Sequence, residues 1–299
     1  MAHTLLPIAL GIIMLGLGLS LTVDDFKRAA KQPRPILIGL GCQVILLPAL
    51  CFGLVLAFNL QNAGNAGPYL AAGMMLLAAS PGGATAAMFS HLFRGDVALN
   101  ISLLAINSVL SVLTLPIVVN LSCLFFLQGD KQIGLQVVDT LQVFAIVLVP
   151  VAIGMVIRHR WRDFAKKMDR PVRIASVVIL VGVVIGALIS NGREIMPHLG
   201  SLVLIAIVFC LANLTVGYVV PRLLRVGKPQ ATALSMEIGV HNETLAITIG
   251  LSVLGEPRLA VPAATYSLIK FAIIPIFGWV ITRRDRHRFE QEVTTVTPA

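Results

Sequence analysis

Apolar residues fall into nine runs of membrane-spanning length, roughly 4 to 22, 35 to 57, 68 to 93, 97 to 127, 135 to 157, 174 to 192, 200 to 221, 230 to 255 and 259 to 282. About 20 apolar residues suffice for a helix to cross a hydrocarbon core of about 30 Å. The pattern predicts an all-α polytopic membrane protein with nine transmembrane helices. Short connections leave no room for a soluble domain, so 1–299 reads as a single transmembrane domain. The charged stretch 283–299 reads as a C-terminal tail too short to fold alone, and disorder is expected there.

Two of the runs are interrupted. The third breaks at Ser80-Pro81-Gly82-Gly83-Ala84-Thr85, the eighth at Glu237-Ile238-Gly239-Val240-His241-Asn242-Glu243-Thr244. Pro81 removes a backbone donor and clashes with the preceding turn. Gly82 and Gly83 permit dihedrals that end a helix and let another chain come close. Non-helical backbone at membrane depth is tolerated only where protein, ions or cavity water satisfy it. Breaks at matching places in two halves of a chain point to the binding site of a secondary transporter. Runs one to four and six to nine then form inverted repeats, each with its third helix discontinuous, and run five is unpaired. A half-helix restarting at Ala84 and Thr85 would present N–H groups to an anion, and Asn242 and Thr244 can cap the half-helix restarting opposite it.

Composition agrees with this reading and charge adds orientation. Hydrophobic residues make up 57% of the chain and charged residues 12%, against about 25% charged in soluble domains. The net charge of +9 comes from basic residues that alternate in sidedness: 19 fall in loops on one side, three (Lys131, Arg193, Arg258) on the other, and Lys270 lies within a run. Basic loops face the cytoplasm, which puts the N-terminus outside and the C-terminal tail inside. The basic loops can also meet anionic lipid headgroups. No recognition motif accompanies the charge, so nucleic acid is excluded as a partner. Cys42, Cys51, Cys123 and Cys210 lie in apolar runs without metal-ligand spacing and read as small core residues. The first 22 residues lack a positive n-region and read as a retained helix rather than a cleaved signal.

A carboxylate in the bilayer costs about 2.5–3.5 kcal/mol on insertion scales, so Glu237 needs a partner. Candidates are a bound cation, a proton, Lys270, or hydrogen bonds from Gln43 and Asn100. A hard monovalent ion wants several oxygens, which Glu237, the Gln43 amide and carbonyls freed by the second break supply. His241, four residues on, could share a helix face with Glu237. Asn107, Gln142 and Asn213 read as interhelical hydrogen-bonding residues, Arg94-Gly95-Asp96 as a turn, and Pro48, Pro116, Pro150 and Pro275 as bends.

Pro81-Gly82-Gly83, the following Arg94-Gly95-Asp96-Val97-Ala98-Leu99, Gln43 ahead of Pro48, and Glu237-Ile238-Gly239-Val240-His241-Asn242 together resemble the bile acid:sodium symporter family, with bacterial members the nearest pattern. The resemblance covers essentially the whole chain. It implies a panel domain (runs one, five and six) rocking against a core in which the broken helices cross, and residence in a bacterial inner (plasma) membrane. Relatives often have a tenth, N-terminal helix, here missing. The resemblance also implies sodium as coupling ion, with no cofactor. One sodium site matches Gln43, Glu237 and the backbone of Ile238 and Val240, with His241 where the family has a second glutamine. At the other, matching positions are Ala86, Ala87 and Leu104, which leaves Asn100 and the shared Glu237.

On the substrate side the candidates are Gly82, Gly83, Ala84, Thr85, Asn242, Glu243, Thr244 and Lys270. Glu243 stands where the family has a small neutral residue, and Lys270 is expected to neutralise it or bind a substrate carboxylate. The resulting expectation is a monomeric secondary active transporter, not an enzyme, that couples sodium to symport of a small organic anion, a monocarboxylate or a bile-acid-like molecule. Alternatives are proton-coupled or efflux carriage of a similar anion, an intramembrane enzyme using the Glu237, His241 and Glu243 cluster, and a non-transporting sensor.

Overall fold

The computed structural model describes residues 22–83, 85–127, 137–161 and 196–296, together with positions 11, 12, 15, 16, 18, 19, 163, 164, 167, 168 and 171. The run at 174–192 and Ala84 lie outside the described residues, as does most of the run at 4–22. Every regular element among the described residues is a helix, and none is a strand.

At the start of a short helix, α1 (Val23–Lys31), Asp25 accepts hydrogen bonds from the Thr22 amide and hydroxyl, both at 2.7 Å. Helix α2 (Pro33–Ala57) is a single 25-residue stretch with a widened π-type turn at Cys42–Leu46. Pro48 lies just beyond that turn, and the Leu47 amide reaches back five residues to the Cys42 carbonyl. A turn of this kind absorbs the donor that proline lacks, and it re-aims the side chains it carries, Gln43 among them.

The third run is broken as expected, into α3 (Gly67–Ala79) and α4 (Thr85–Leu92). The next turn places Arg94 at φ 56°, and the Gly95 amide donates to the Ser90 carbonyl at 2.7 Å. Asp96 then caps the 30-residue helix α5 (Val97–Phe126) by accepting from the Leu99 amide at 3.0 Å. Helices α6 (Val137–Arg160) and α7 (Leu199–Leu223) follow. The eighth run is also broken, into α8 (Lys228–Gly239) and α9 (Glu243–Thr248), the latter running into a π-type turn at Ile249–Val253. A 3-10 turn at Pro257–Ala260 leads into α10 (Val261–Val296). Pro116, Pro150 and Pro275 sit inside continuous helices.

Among the described residues four stretches are long and apolar enough to cross a bilayer: Pro33–Ala57, Val97–Phe126, Met196–Leu223 and Pro257–Arg283. Their outer faces support that role. On α5, Leu113, Ile117, Leu121 and Leu124 form a stripe along one side and are 59–73% exposed. A solvated helix would place polar residues on that face; lipid tails accept leucine and isoleucine there.

The interior follows a different rule. Helix α8 contains Lys, Gln, Thr, Ser and Glu, yet every residue from Ala231 to Gly239 is buried. It is the central helix, packed against α7, α4, α5 and α2. Close approach is possible because the facing residues are small: a side chain on Gly217 of α7 would meet the Ser235 Cα at 2.8 Å. Ser235 uses that proximity to donate to the Leu214 carbonyl at 2.7 Å. Helix–helix contact through small residues and interhelical hydrogen bonds is how bundles pack where lipid supplies no hydrophobic drive.

The tail departs from expectation. Instead of losing order at Arg283, α10 continues as helix to Val296. Extending an existing helix fixes one residue per hydrogen bond and avoids the cost of nucleation, so a stretch too short to fold alone can still be helical when it grows from a long helix.

Candidate functional site

The two breaks meet. Ser80 (φ −67°, ψ 143°) and Val240 (φ −112°, ψ 100°) leave their helices in extended conformation, and the segments that follow form an antiparallel bridge centred on Gly82 and His241. The Gly83 amide donates to the Val240 carbonyl at 2.7 Å, and the Asn242 amide to the Pro81 carbonyl at 2.8 Å. Backbone freed by each break is thus satisfied by the other. After the crossing, Asn242 caps α9 by accepting from the Leu245 amide at 3.1 Å.

Glycine is required at this bridge for space. A Cβ on Gly82 would collide with the Glu237 carboxyl group, and one on Gly83 would lie 2.6 Å from the His241 carbonyl oxygen. The Glu237 carboxylate therefore rests directly against the backbone of the first break. It is fully buried, and neither of its oxygens has a hydrogen-bond partner.

Two amide side chains nearby have the same character. Gln43 donates to the Ser80 carbonyl at 3.3 Å and leaves its Oε1 unpartnered. Asn100 donates to the Ala233 carbonyl, one turn before Glu237 on α8, at 2.9 Å and leaves its Oδ1 unpartnered. Both residues are buried. Each amide anchors its NH2 group on the broken-helix backbone and keeps its oxygen free. Four buried acceptors without donors would carry a large desolvation cost by themselves; they are the hard oxygen donors an alkali cation takes. Hydrogen bonds from Gln43 or Asn100 to Glu237, and a Glu237–Lys270 pair, were open from the sequence. The structure shows neither.

His241 behaves differently. Its Nδ1 faces the Ser80 carbonyl at 3.5 Å and its Nε2 lies 2.9 Å from the Asn213 amide nitrogen. One tautomer serves both contacts, with Nδ1–H donating to Ser80 and Nε2 accepting from Asn213. The ring stacks on Phe209 at 5.5 Å and meets Tyr266 edge-on at 5.3 Å. Both ring nitrogens are committed, so the side chain holds the crossing in place and offers no free donor to an ion. Asn213 makes the interhelical bond expected of it. Tyr266, which the sequence did not single out, donates to the Gly239 carbonyl at 2.7 Å and so closes the end of α8. An isolated tyrosine in an apolar run gives no signal that its hydroxyl terminates another helix.

On the far side of the bridge, Lys270 of α10 donates to Glu243 Oε2 at 2.6 Å. The side chains are 5% and 7% exposed. Of the partners the sequence left open for Lys270 (Glu237, Glu243 or a substrate carboxylate), the structure pairs it with Glu243. Its second carboxylate oxygen, Glu243 Oε1, is buried and unpartnered, as is Thr85 Oγ1 at the start of α4. Helix α10 borders both restarting half-helices, touching α9 along its length and α4 through Phe271 and Phe89, whose rings are 6.2 Å apart. Cys42, Cys51, Cys123 and Cys210 are free and buried.

Comparison with known proteins places this architecture. The model of the Sodium Bile acid symporter family matches residues 7–198. The chain is 28% identical over 264 residues to the probable sodium/metabolite cotransporter BASS1 of Arabidopsis thaliana chloroplasts, covering 87% of this chain and 62% of that protein. It is 28% identical to the uncharacterized sodium-dependent transporter YocS of Bacillus subtilis, covering 88% and 78%, and 25% identical to the human ileal sodium/bile acid cotransporter, covering 95% and 80%. The chain thus spans about three fifths of the plant relative and about four fifths of the other two. The family model takes in almost two thirds of the chain, including the first break, and the relatives extend the likeness through the second; this protein belongs to the sodium bile acid symporter family, a family of membrane transporters and not of enzymes.

Proposed function

We propose that the protein is a secondary active transporter that carries a small organic anion, a monocarboxylate by preference, in symport with sodium. The reading rests on one observation above all: a fully buried Glu237 carboxylate, both oxygens unpartnered, lies against the backbone crossing of two interrupted helices. A bound cation answers that arrangement, with Glu237, Gln43 Oε1 and the carbonyls of Ile238 and Val240 as its ligands, while Asn100 Oδ1 and the shared Glu237 are what the chain offers a second cation. A proton on Glu237 could serve one of the free oxygens and would leave the others unpartnered, whereas a cation takes several at once, which is why sodium is preferred to proton coupling. His241 contributes by positioning: its ring and Gln43 both address the Ser80 carbonyl, and this fixes where the free Gln43 oxygen sits.

In this reading the chain makes nine crossings in two inverted repeats, with the N-terminus outside, the C-terminus cytoplasmic, and a monomer as the working unit. The solute binds beside the crossing among Gly82, Gly83, Thr85, Asn242, Glu243, Thr244 and Lys270.

The test is thermal stability of the purified protein in sodium against potassium at fixed ionic strength. A ligand that binds only the folded state stabilises it by about 2.7 kcal/mol at 100 times its Kd. Wild type is expected to gain a sodium-specific rise in Tm, and Glu237→Gln to fold and show none. Absence of the rise in wild type would overturn the assignment of sodium.

A further inference from the structure

Glu243 and Lys270 are not needed by the ion site, and their pairing is incomplete. Lys270 engages one carboxylate oxygen; the other, Glu243 Oε1, is buried and takes no hydrogen bond from another residue. A substrate that is only an acceptor cannot use that oxygen. A bare monocarboxylate entering here could take a hydrogen bond from Lys270 but would set its own oxygens against those of Glu243. A carboxylate bearing a hydrogen donor on the neighbouring carbon satisfies both partners at once: its carboxylate accepts from Lys270 and its O–H or N–H donates to Glu243 Oε1.

We infer that the Glu243–Lys270 pair is a specificity element selecting carboxylates with an adjacent hydroxyl or ammonium group over unsubstituted and 2-oxo carboxylates. The inference rests on the proposed solute site and sharpens it. Sites whose buried polar groups demand a partner discriminate far more strongly than apolar pockets of the same shape, because the analogue lacking the group leaves a buried atom unpaired. Placement supports the role. Glu243 follows directly on Asn242, whose amide closes the bridge, and Lys270 comes from α10, which borders both restarting half-helices. The pair is thus held by the same backbone that carries Glu237, with its own charges balanced.

Four probes of nearly equal size separate the possibilities: propionate, pyruvate, lactate and alanine, each titrated in saturating sodium with the thermal shift of the purified protein as readout. The expected result is an apparent affinity at least about tenfold higher for lactate, alanine or both than for propionate and pyruvate. Lactate alone would identify the donor as a hydroxyl, alanine alone as an ammonium. Equal affinity across the four, or no shift with any of them in protein that still responds to sodium, overturns the inference while leaving the transport reading standing. Loss of the sodium response itself is the failure of that earlier reading. The residue assignment is checked with the double variant Glu243→Leu/Lys270→Met, which removes both charges together: the preference should vanish while the sodium response stays. A preference that survives there also overturns the inference. If that variant does not fold, Glu243→Asp, which retains the charge but draws the oxygen back, should shrink the lactate or alanine advantage, and an unchanged advantage counts against it.

Discussion

The two breaks do the same thing to a helix by opposite means. Ser80 to Gly83 contributes almost nothing but backbone: a proline, two glycines and a serine whose carbonyl matters more than its hydroxyl. Glu237 to Glu243 contributes two carboxylates, an imidazole and an amide. They fit because they differ. Glu237 can lie at the crossing only because Gly82 has no side chain, and the His241 carbonyl can approach only because Gly83 has none. One strand of the crossing provides room and the other provides chemistry, so the first should be intolerant of added atoms and the second of removed ones.

Removing a partner from the second break should have the largest effect. Lys270→Met leaves Glu243 buried without its counter-charge, and breaking such a pair costs about 3–5 kcal/mol. Tm should fall steeply in the single variant and recover most of the loss in Glu243→Leu/Lys270→Met; equal losses in both would mean that side-chain packing, and not charge, holds this side of the crossing. Adding one methyl group to the first break comes next. Gly82→Ala places a carbon on the Glu237 carboxyl, with a cost of about 1–3 kcal/mol for overpacking, and it should abolish sodium-specific stabilisation even where the protein still folds. A normal sodium response in Gly82→Ala would break the idea that the first strand is there to provide room. Smallest is the cap: Asn242→Ala should cost about 1 kcal/mol and leave the sodium response in place, which separates chemistry on the second strand from the scaffolding that merely restarts its helix.

Much of this was legible before any coordinates. Hydropathy located the four bilayer-length stretches seen among the described residues and both interruptions, because a bilayer imposes length and apolarity directly on sequence. Asn242 could be recognised as a cap and Asp96 as part of a turn, while Lys270 had to find an anion in an apolar run, with Glu237, Glu243 and a substrate carboxylate all open to it. What escaped was the identity of partners. Nothing in the residues announces that two breaks some 160 positions apart exchange backbone hydrogen bonds, because those bonds belong to peptide groups that every residue carries. His241 was a plausible ion ligand from its place beside Glu237, and only geometry shows both ring nitrogens occupied. The π-type turn that carries Gln43 differs from its α-helical surroundings by one residue in register, too small a change for an apolar pattern to register. The helical tail escaped for another reason: its length was weighed in isolation, whereas it inherits the helix before it.

The antiparallel bridge also has a mechanical meaning. Because Gly83 and Asn242 each donate across it, α3, α4, α8 and α9 are joined at one point by hydrogen bonds of the kind that hold a sheet together, and sliding one broken helix past the other would sever both bonds. The crossing therefore behaves as a rivet. In the transport cycle proposed above, a motion that keeps both bonds would carry the four half-helices together as one body, with its hinge at their margins.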